Sequence, residues 1–254
     1  MASTTTDRVR DPSFALLSTD DITRFVDSPR PLPDSEWTFE DVPISEDDED
    51  LICLGADLEP STLVSAYSNG FFPMPVGERR RTIGWFSPDP RGIVPIDGLH
   101  VSHSLRKHLR RFRYSVDTCF ERVMRECGDE RRPHGWIDDD FVAAYGEMHR
   151  LGWAHSIEVW QGDELVGGVY GVRIERFFAG ESMFHRVTDA SKAALVALVG
   201  ALTASGAELF DVQWTTPHLV SMGAIDVSRS DYLRRLRSAV RPVGRGKTTT
   251  RPTD

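Results

Sequence analysis

Residues 180–213 read GESMFHRVTDASKAALVALVGALTASGAELFDVQ. Phe177 to Phe184 is rich in aromatic residues and reads as a strand entering this stretch. Lys192 to Ser205 carries Leu195, Leu198, Val199 and Leu202 at helical spacing, and Gly206 follows as a left-handed cap. Glu208 to Gln213 reads as a second strand. Side chains two apart on a strand share a face, so Asp211 and Gln213 are expected to project together, with Phe210 and Val212 on the opposite face. A carboxylate beside an amide can fix which end of the amide points outward, leaving a carbonyl acceptor for a reacting amine. The plainer alternative is a hydrogen-bond network that satisfies buried polar groups at a strand end.

Working outward, three strands precede this stretch in succession: His155 to Trp160, Leu165 to Val172 and Phe177 to Phe184, joined by turns at QGDE and IER. Before them come helices around His103 to Arg111, through Cys127 and over Phe141 to Leu151, the last closed by Gly152. Thr118 with Glu121 has the spacing of a capping box for the middle helix. Further upstream, Leu51 to Leu54 and Thr82 to Phe86 read as strands, and Pro60 to Ser68 reads as a helix closed by Gly70. Helices, a strand meander, a helix and a further strand give an α+β class. The expected division is an extension over residues 1–30, disordered or loosely attached, and a small N-terminal α/β domain over 31–87. A larger domain over 88–240 and a mobile tail over 241–254 complete it.

The charge-free, apolar stretch Ala193 to Ala207 falls short of the roughly 20 residues a membrane helix needs. No membrane association is expected, and the first 30 residues offer no apolar signal region. Cys53, Cys119 and Cys127 have no metal-type pairing, which points to buried thiols in a reducing compartment, hence to a cytoplasmic protein without a metal. The net charge of -9 is unevenly placed: residues 1–60 hold 4 basic and 16 acidic residues, and the rest hold 26 basic against 23 acidic. Arg79 to Arg113 carries nine Lys or Arg against Asp89 and Asp97, a stripe able to meet phosphates unless it is simply a solvated face.

Several segments in collinear order resemble the leucyl/phenylalanyl-tRNA protein transferases: GADLEPSTLVSAYSNGFFPMP (55–75), WFSPDPRG (85–92), Trp136-Ile137, GWAHSIEVWQGDELVGGVYG (152–171), GESMFHRVTDASKAAL, DVQ and HLVSMGA. The resemblance spans about Leu54 to Leu236. It implies an acetyltransferase-like (GNAT) fold for the larger domain, no cofactor, and a monomer. The implied activity moves Leu or Phe, with Met a third candidate, from aminoacyl-tRNA to proteins that begin with Lys or Arg, marking them for degradation. In the mechanism the resemblance implies, the Gln213 carbonyl, polarised by Asp211, accepts the amine proton.

The resemblance also assigns binding residues. Glu181 would hold substrate in the aminoacyl pocket, and Val169, Met183, Leu198 and Phe210 would line the pocket for the Leu or Phe side chain, although by composition alone each is more often plain core. Trp136 and Tyr145 would lie against the terminal adenosine. Val169 stands where the family pattern has Met, and Met74 where it has Trp, so the pocket and one wall of the adenosine site depart from the pattern. Two readings compete with transfer from tRNA. An acyl-CoA N-acyltransferase needs a Gly-rich pyrophosphate loop before the long helix, and none is there; RPVGRG (241–246) and GKT (246–248) lie in the tail. A non-catalytic adaptor for protein N-termini has no use for the DVQ pair.

Overall fold

The computed structural model describes residues 16–44, 49–77, 82–129 and 137–242. The elements follow in the order α1 (Thr19–Val26), β1 (Leu51–Leu54), α2 (Pro60–Ser68), β2 (Phe72–Val76), β3 (Thr82–Phe86), β4 (Arg91–Ile93), α3 (His103–Leu109) and β5 (Arg113–Val116). Then come α4 (Phe120–Cys127), α5 (Asp139–Arg150), β6 (Ala154–Gln161), β7 (Glu164–Ile174), β8 (Phe177–His185), α6 (Ala190–Ala204), β9 (Leu209–Gln213), α7 (Pro217–Ser221), β10 (Ile225–Val227) and α8 (Arg229–Ala239). They build a three-stranded sheet, β1-β3-β2, and a seven-stranded sheet, β10-β4-β9-β8-β7-β6-β5. The mixed α+β class read from the sequence holds.

Strands β6, β7 and β8 form an antiparallel meander, whereas β8 and β9 run parallel. A parallel neighbour requires a crossover, and α6 supplies it. This helix is apolar on every side because it is enclosed: the sheet lies beneath it, and α1 and α3 cover it. Strand alternation divides the sheet between two cores. Ile157, Val159, Val169 and Phe178 pack with α6, while Ala154, Tyr170, Val172 and Phe177 pack with α4 and α5.

Strands β8 and β9 pair only over Phe177–Ala179 against Leu209–Asp211. Beyond that point β8 continues beside β7, and β9 turns its hydrogen bonds to β4. The two strands part between Gly180 and Gln213, and the gap between them opens the cavity described below.

Three expectations are corrected here. Residues 19–26 are not a loose extension: Ser18 and Asp21 form a capping box, and Phe25 is 0% exposed against the rings of His155 and Phe178. Residues 1–15 of that extension, and 243–254 of the tail, lie outside the described residues. Thr118 and Glu121 do not cap α4. Its N-cap is Cys119, and the buried Glu158 carboxylate accepts the backbone N–H groups of Thr118 and Cys119 at 3.2 and 3.4 Å. Of the three thiols, only Cys127 is fully buried, with Cys53 and Cys119 half-buried.

The expected boundary near residue 87 is bridged by packing. Leu63, Tyr67, Phe71 and Trp85 belong to the same core as Tyr145, Tyr170, Phe177 and Tyr232, and the Tyr67 and Tyr145 hydroxyls lie 2.5 Å apart.

Candidate active site

The parted strands frame a cavity of about 520 Å³. Its apolar wall comes from Phe72 and Met74 on β2, Val169 on β7, Met183 on β8, Phe210 and Val212 on β9, and Trp214 and Leu219 beyond. Val169 and Met183 are direct cross-strand partners, so they present to the cavity side by side. The polar groups of the lining are Glu181, Ser182, His185, Ser191, Gln213, Thr216 and His218. Burial, reinforced by Lys192 and His185, holds the His218 imidazole below its ordinary range. Leu198 does not line this space; it is buried in the core that α6 forms with the sheet.

Gln213 breaks the alternation of β9. Its φ is +58°, in the left-handed region that a strand does not visit. An Asp side chain readily accepts from the backbone two residues on, and Asp211 Oδ1 accepts the Gln213 N–H at 2.9 Å. The expected contact between the Asp211 carboxylate and the Gln213 amide is therefore corrected: Asp211 holds the backbone. The amide is held by Glu181, whose Oε1 accepts from Gln213 Nε2 at 3.3 Å.

Asp211 is 0% exposed and fully engaged. Arg91 grips it with both arms, Nε to Oδ1 at 2.9 Å and Nη2 to Oδ2 at 2.6 Å, and the Tyr232 hydroxyl donates to Oδ2 at 2.9 Å. Arg91 also donates to the Gly70 carbonyl at 3.1 Å, and its guanidinium lies between the rings of Phe72 and Tyr232. Burial pulls its pKa down, and the Asp211 charge more than offsets that, leaving the guanidinium above its ordinary value.

Arg91 thus drops out of the basic stripe read over Arg79 to Arg113, because it faces inward at 1% exposure. Arg79, Arg80 and Arg81 lie outside the described residues. Lys107, Arg110, Arg111 and Arg113 are exposed, with Arg113 over the Trp160 ring.

Glu181 projects from β8 where that strand has left β9. Besides Gln213, its Oε2 accepts from the Tyr145 hydroxyl at 3.4 Å, and Tyr145 is backed by Tyr67. Burial pushes its carboxyl up to about 8, with the Asp211 charge adding to the shift and hydrogen bonding from Tyr67 and Tyr145, together with the Arg91 charge, opposing it. Tyr145 is 0% exposed, packed on Phe141 and Tyr170, so its ring offers no face to an adenine. Its placement against the adenosine is corrected to a place behind Glu181. Trp136 lies outside the described residues.

Sequence reasoning missed Arg91, Tyr67 and Tyr232. A carboxylate on a central strand demands a cation, but nothing in the sequence says which arginine answers it.

Comparison with known proteins gives a consistent picture. Residues 93–237 match the family model described as leucyl/phenylalanyl-tRNA protein transferase, and residues 56–89 match the model of that family's N-terminal domain. A leucyl/phenylalanyl-tRNA–protein transferase of Cereibacter sphaeroides is 49% identical over 185 residues, covering 72% of this chain and 86% of that protein. One of Anaeromyxobacter sp. (strain K) is 45% identical over 218 residues, covering 84% of this chain and 92% of that protein. A GCN5-related N-acetyltransferase from Anabaena variabilis is 11% identical at a TM-score of 0.37, over 70% of this chain and 44% of that one, a likeness too slight to argue from.

Proposed function

The chain belongs to the leucyl/phenylalanyl-tRNA protein transferase family, enzymes that transfer an aminoacyl group from tRNA to protein, and from that premise we propose a specific use for the cavity. It takes the ester of Leu or Phe, with Met a third candidate, and delivers the acyl group to the α-amine of a protein that begins with Lys or Arg. The product is thereby marked for degradation. The enzyme works as a cytoplasmic monomer. In this reading residues 88–240 form the acetyltransferase-like (GNAT) half, and residues 31–87 an N-terminal unit sharing its core. No helix among the described residues is long and apolar enough to cross a membrane.

The observation that carries this reading is the hydrogen bond between Gln213 and Glu181 at the edge of an apolar cavity. With the NH2 end of the amide on Glu181, the carbonyl end is left to accept from an incoming amine and to orient its lone pair. Val169, Met183 and Phe210 offer the acyl side chain a wall without charge. Met183 and Met74 are unbranched and adaptable, which suits a wall that must admit both a branched and an aromatic side chain.

The chemistry asks for little beyond placement. The ester is already activated, and holding two reactants in register can supply on the order of 7 to 11 kcal/mol. The reading is tested by incubating the protein with tRNA charged with labelled Leu, Phe or Met and peptides beginning with Lys, Arg or Gly, alongside acetyl-CoA as a rival donor. Label should pass from Leu-tRNA and Phe-tRNA to the Lys and Arg peptides alone. Acetyl transfer, or peptide binding without transfer, would replace this reading with an acyl-CoA enzyme or an adaptor.

A further inference from the structure

We propose that Glu181 is the catalytic base, taking the proton from the attacking amine and returning it to the departing ribose oxygen. The inference rests on the cavity being the site of aminoacyl transfer. As the amine nitrogen bonds to the ester carbonyl carbon, that nitrogen must lose a proton. As the carbon–oxygen bond to the ribose breaks, the 3′ oxygen must gain one. A single carboxylate can do both, and the sum is amine plus ester giving amide plus ribose hydroxyl.

Of the other groups near the amine, Asp211, Gln213 and His185 fail on geometry or basicity, and His218, which also lines the cavity, is set against Glu181 in the test below. Asp211 has no exposure, and four donors already occupy its oxygens: Arg91 Nε and Nη2, the Gln213 N–H and the Tyr232 hydroxyl. An amide oxygen such as that of Gln213 orients a proton but is far too weak a base to hold it at neutral pH. His185 stands four residues further along β8, roughly 13 Å away at the rise of a strand. Glu181 touches the Gln213 amide directly and lines the cavity.

The surroundings of Glu181 are built for the task. Tyr67 from α2 and Tyr145 from α5 stand behind it, Tyr170 on β7 lies nearby, and among the described residues the charged groups acting on it are Asp211 on β9 and Arg91 on β4. Burial and the Asp211 charge lift the carboxyl to about 8, next to the ordinary value of an α-amine, so the proton passes between partners of similar affinity.

The test measures single-turnover transfer from Leu-tRNA to a Lys-initiated peptide between pH 6 and 9.5, at saturating peptide, for the unmodified protein, Glu181→Gln, Tyr145→Phe, His185→Gln and His218→Gln. Glu181→Gln should lose about 10²- to 10⁴-fold in rate, with peptide KM within about threefold and the fold intact by circular dichroism. Tyr145→Phe keeps the packing but removes a donor to the carboxylate, so its rate-versus-pH limb should move to higher pH. A Glu181→Gln variant that raises KM but turns over normally at saturation would overturn the proposal, making Glu181 a binding residue. So would an unshifted limb in Tyr145→Phe, or a loss confined to either histidine variant. No transfer by the unmodified protein would instead overturn the reading of the cavity, and the assignment of a base with it.

Discussion

Asp211 accepts the backbone N–H of Gln213 at 2.9 Å, and Gln213 sits at a φ of +58°. The carboxylate therefore acts on the amide side chain through the chain's path, with Arg91 fixing its own position. Removing one partner of a buried ion pair leaves an uncompensated charge, which costs about 3 to 5 kcal/mol. Asp211→Ala should be destabilised by that amount in denaturant unfolding. Asp211→Asn, which keeps an acceptor for the Gln213 N–H, should lose less. An Asp211→Ala protein within about 1 kcal/mol of the unmodified one would show that the pair does not anchor the site.

Phe25 tests whether α1 is part of the fold. Its ring fills the space between His155 and Phe178, so Phe25→Ala should cost about 3 to 5 kcal/mol, the range for truncating a buried aromatic. An unchanged unfolding midpoint would mean that the helix contributes nothing to stability.

The sequence announced the elements whose patterns are long. The β6–β8 meander, α6 and β9 were legible from periodicity, and Gly206 and Gly152 marked helix ends. What escaped was short or decided at a distance. β4 and β10 have three residues each, too few to show a period. α1 offers only Ile22, Phe25 and Val26 as apolar residues, although Ser18 and Asp21 carried a capping signal that could have revealed it. In the site, alternation placed Asp211 and Gln213 on one face, and the left-handed turn at Gln213 overrode it. The pairing of Arg91 with Asp211 joins residues 120 positions apart, and its inward aim could not be read from a run of basic residues.

The pH dependence of stability follows from Glu181. Its folded-state value, about 8, lies above its ordinary 4.5. The neutral form's contribution is fully present below about 4.5 and is lost as pH rises towards 8. Glu181→Gln escapes this loss, so its melting temperature relative to the unmodified protein should climb between about pH 5 and pH 8.5. Parallel melting curves across that window would mean that the carboxyl is not held neutral by its surroundings.

Arg110, Arg111 and Arg113 are exposed at the end of the basic stripe. If they face the tRNA backbone, log affinity should fall with log salt by about 0.7 to 0.9 per phosphate neutralised. Replacing all three with Gln should flatten that slope and weaken Leu-tRNA and Phe-tRNA equally, because phosphate contacts carry no sequence information. An unchanged slope would move the tRNA surface elsewhere, first to Arg234, Arg235 and Arg237 on α8.

The most direct test of the account is the single-turnover rate of Leu transfer from Leu-tRNA to a Lys-initiated peptide by Gln213→Ala. In the proposed mechanism Gln213 orients the amine beside Glu181 and has no part in holding tRNA. The expected rate is lower by about 10²- to 10³-fold, the usual effect of losing one transition-state hydrogen bond, with Leu-tRNA affinity and melting temperature close to those of the unmodified protein. A near-normal rate in the folded variant would contradict this mechanism.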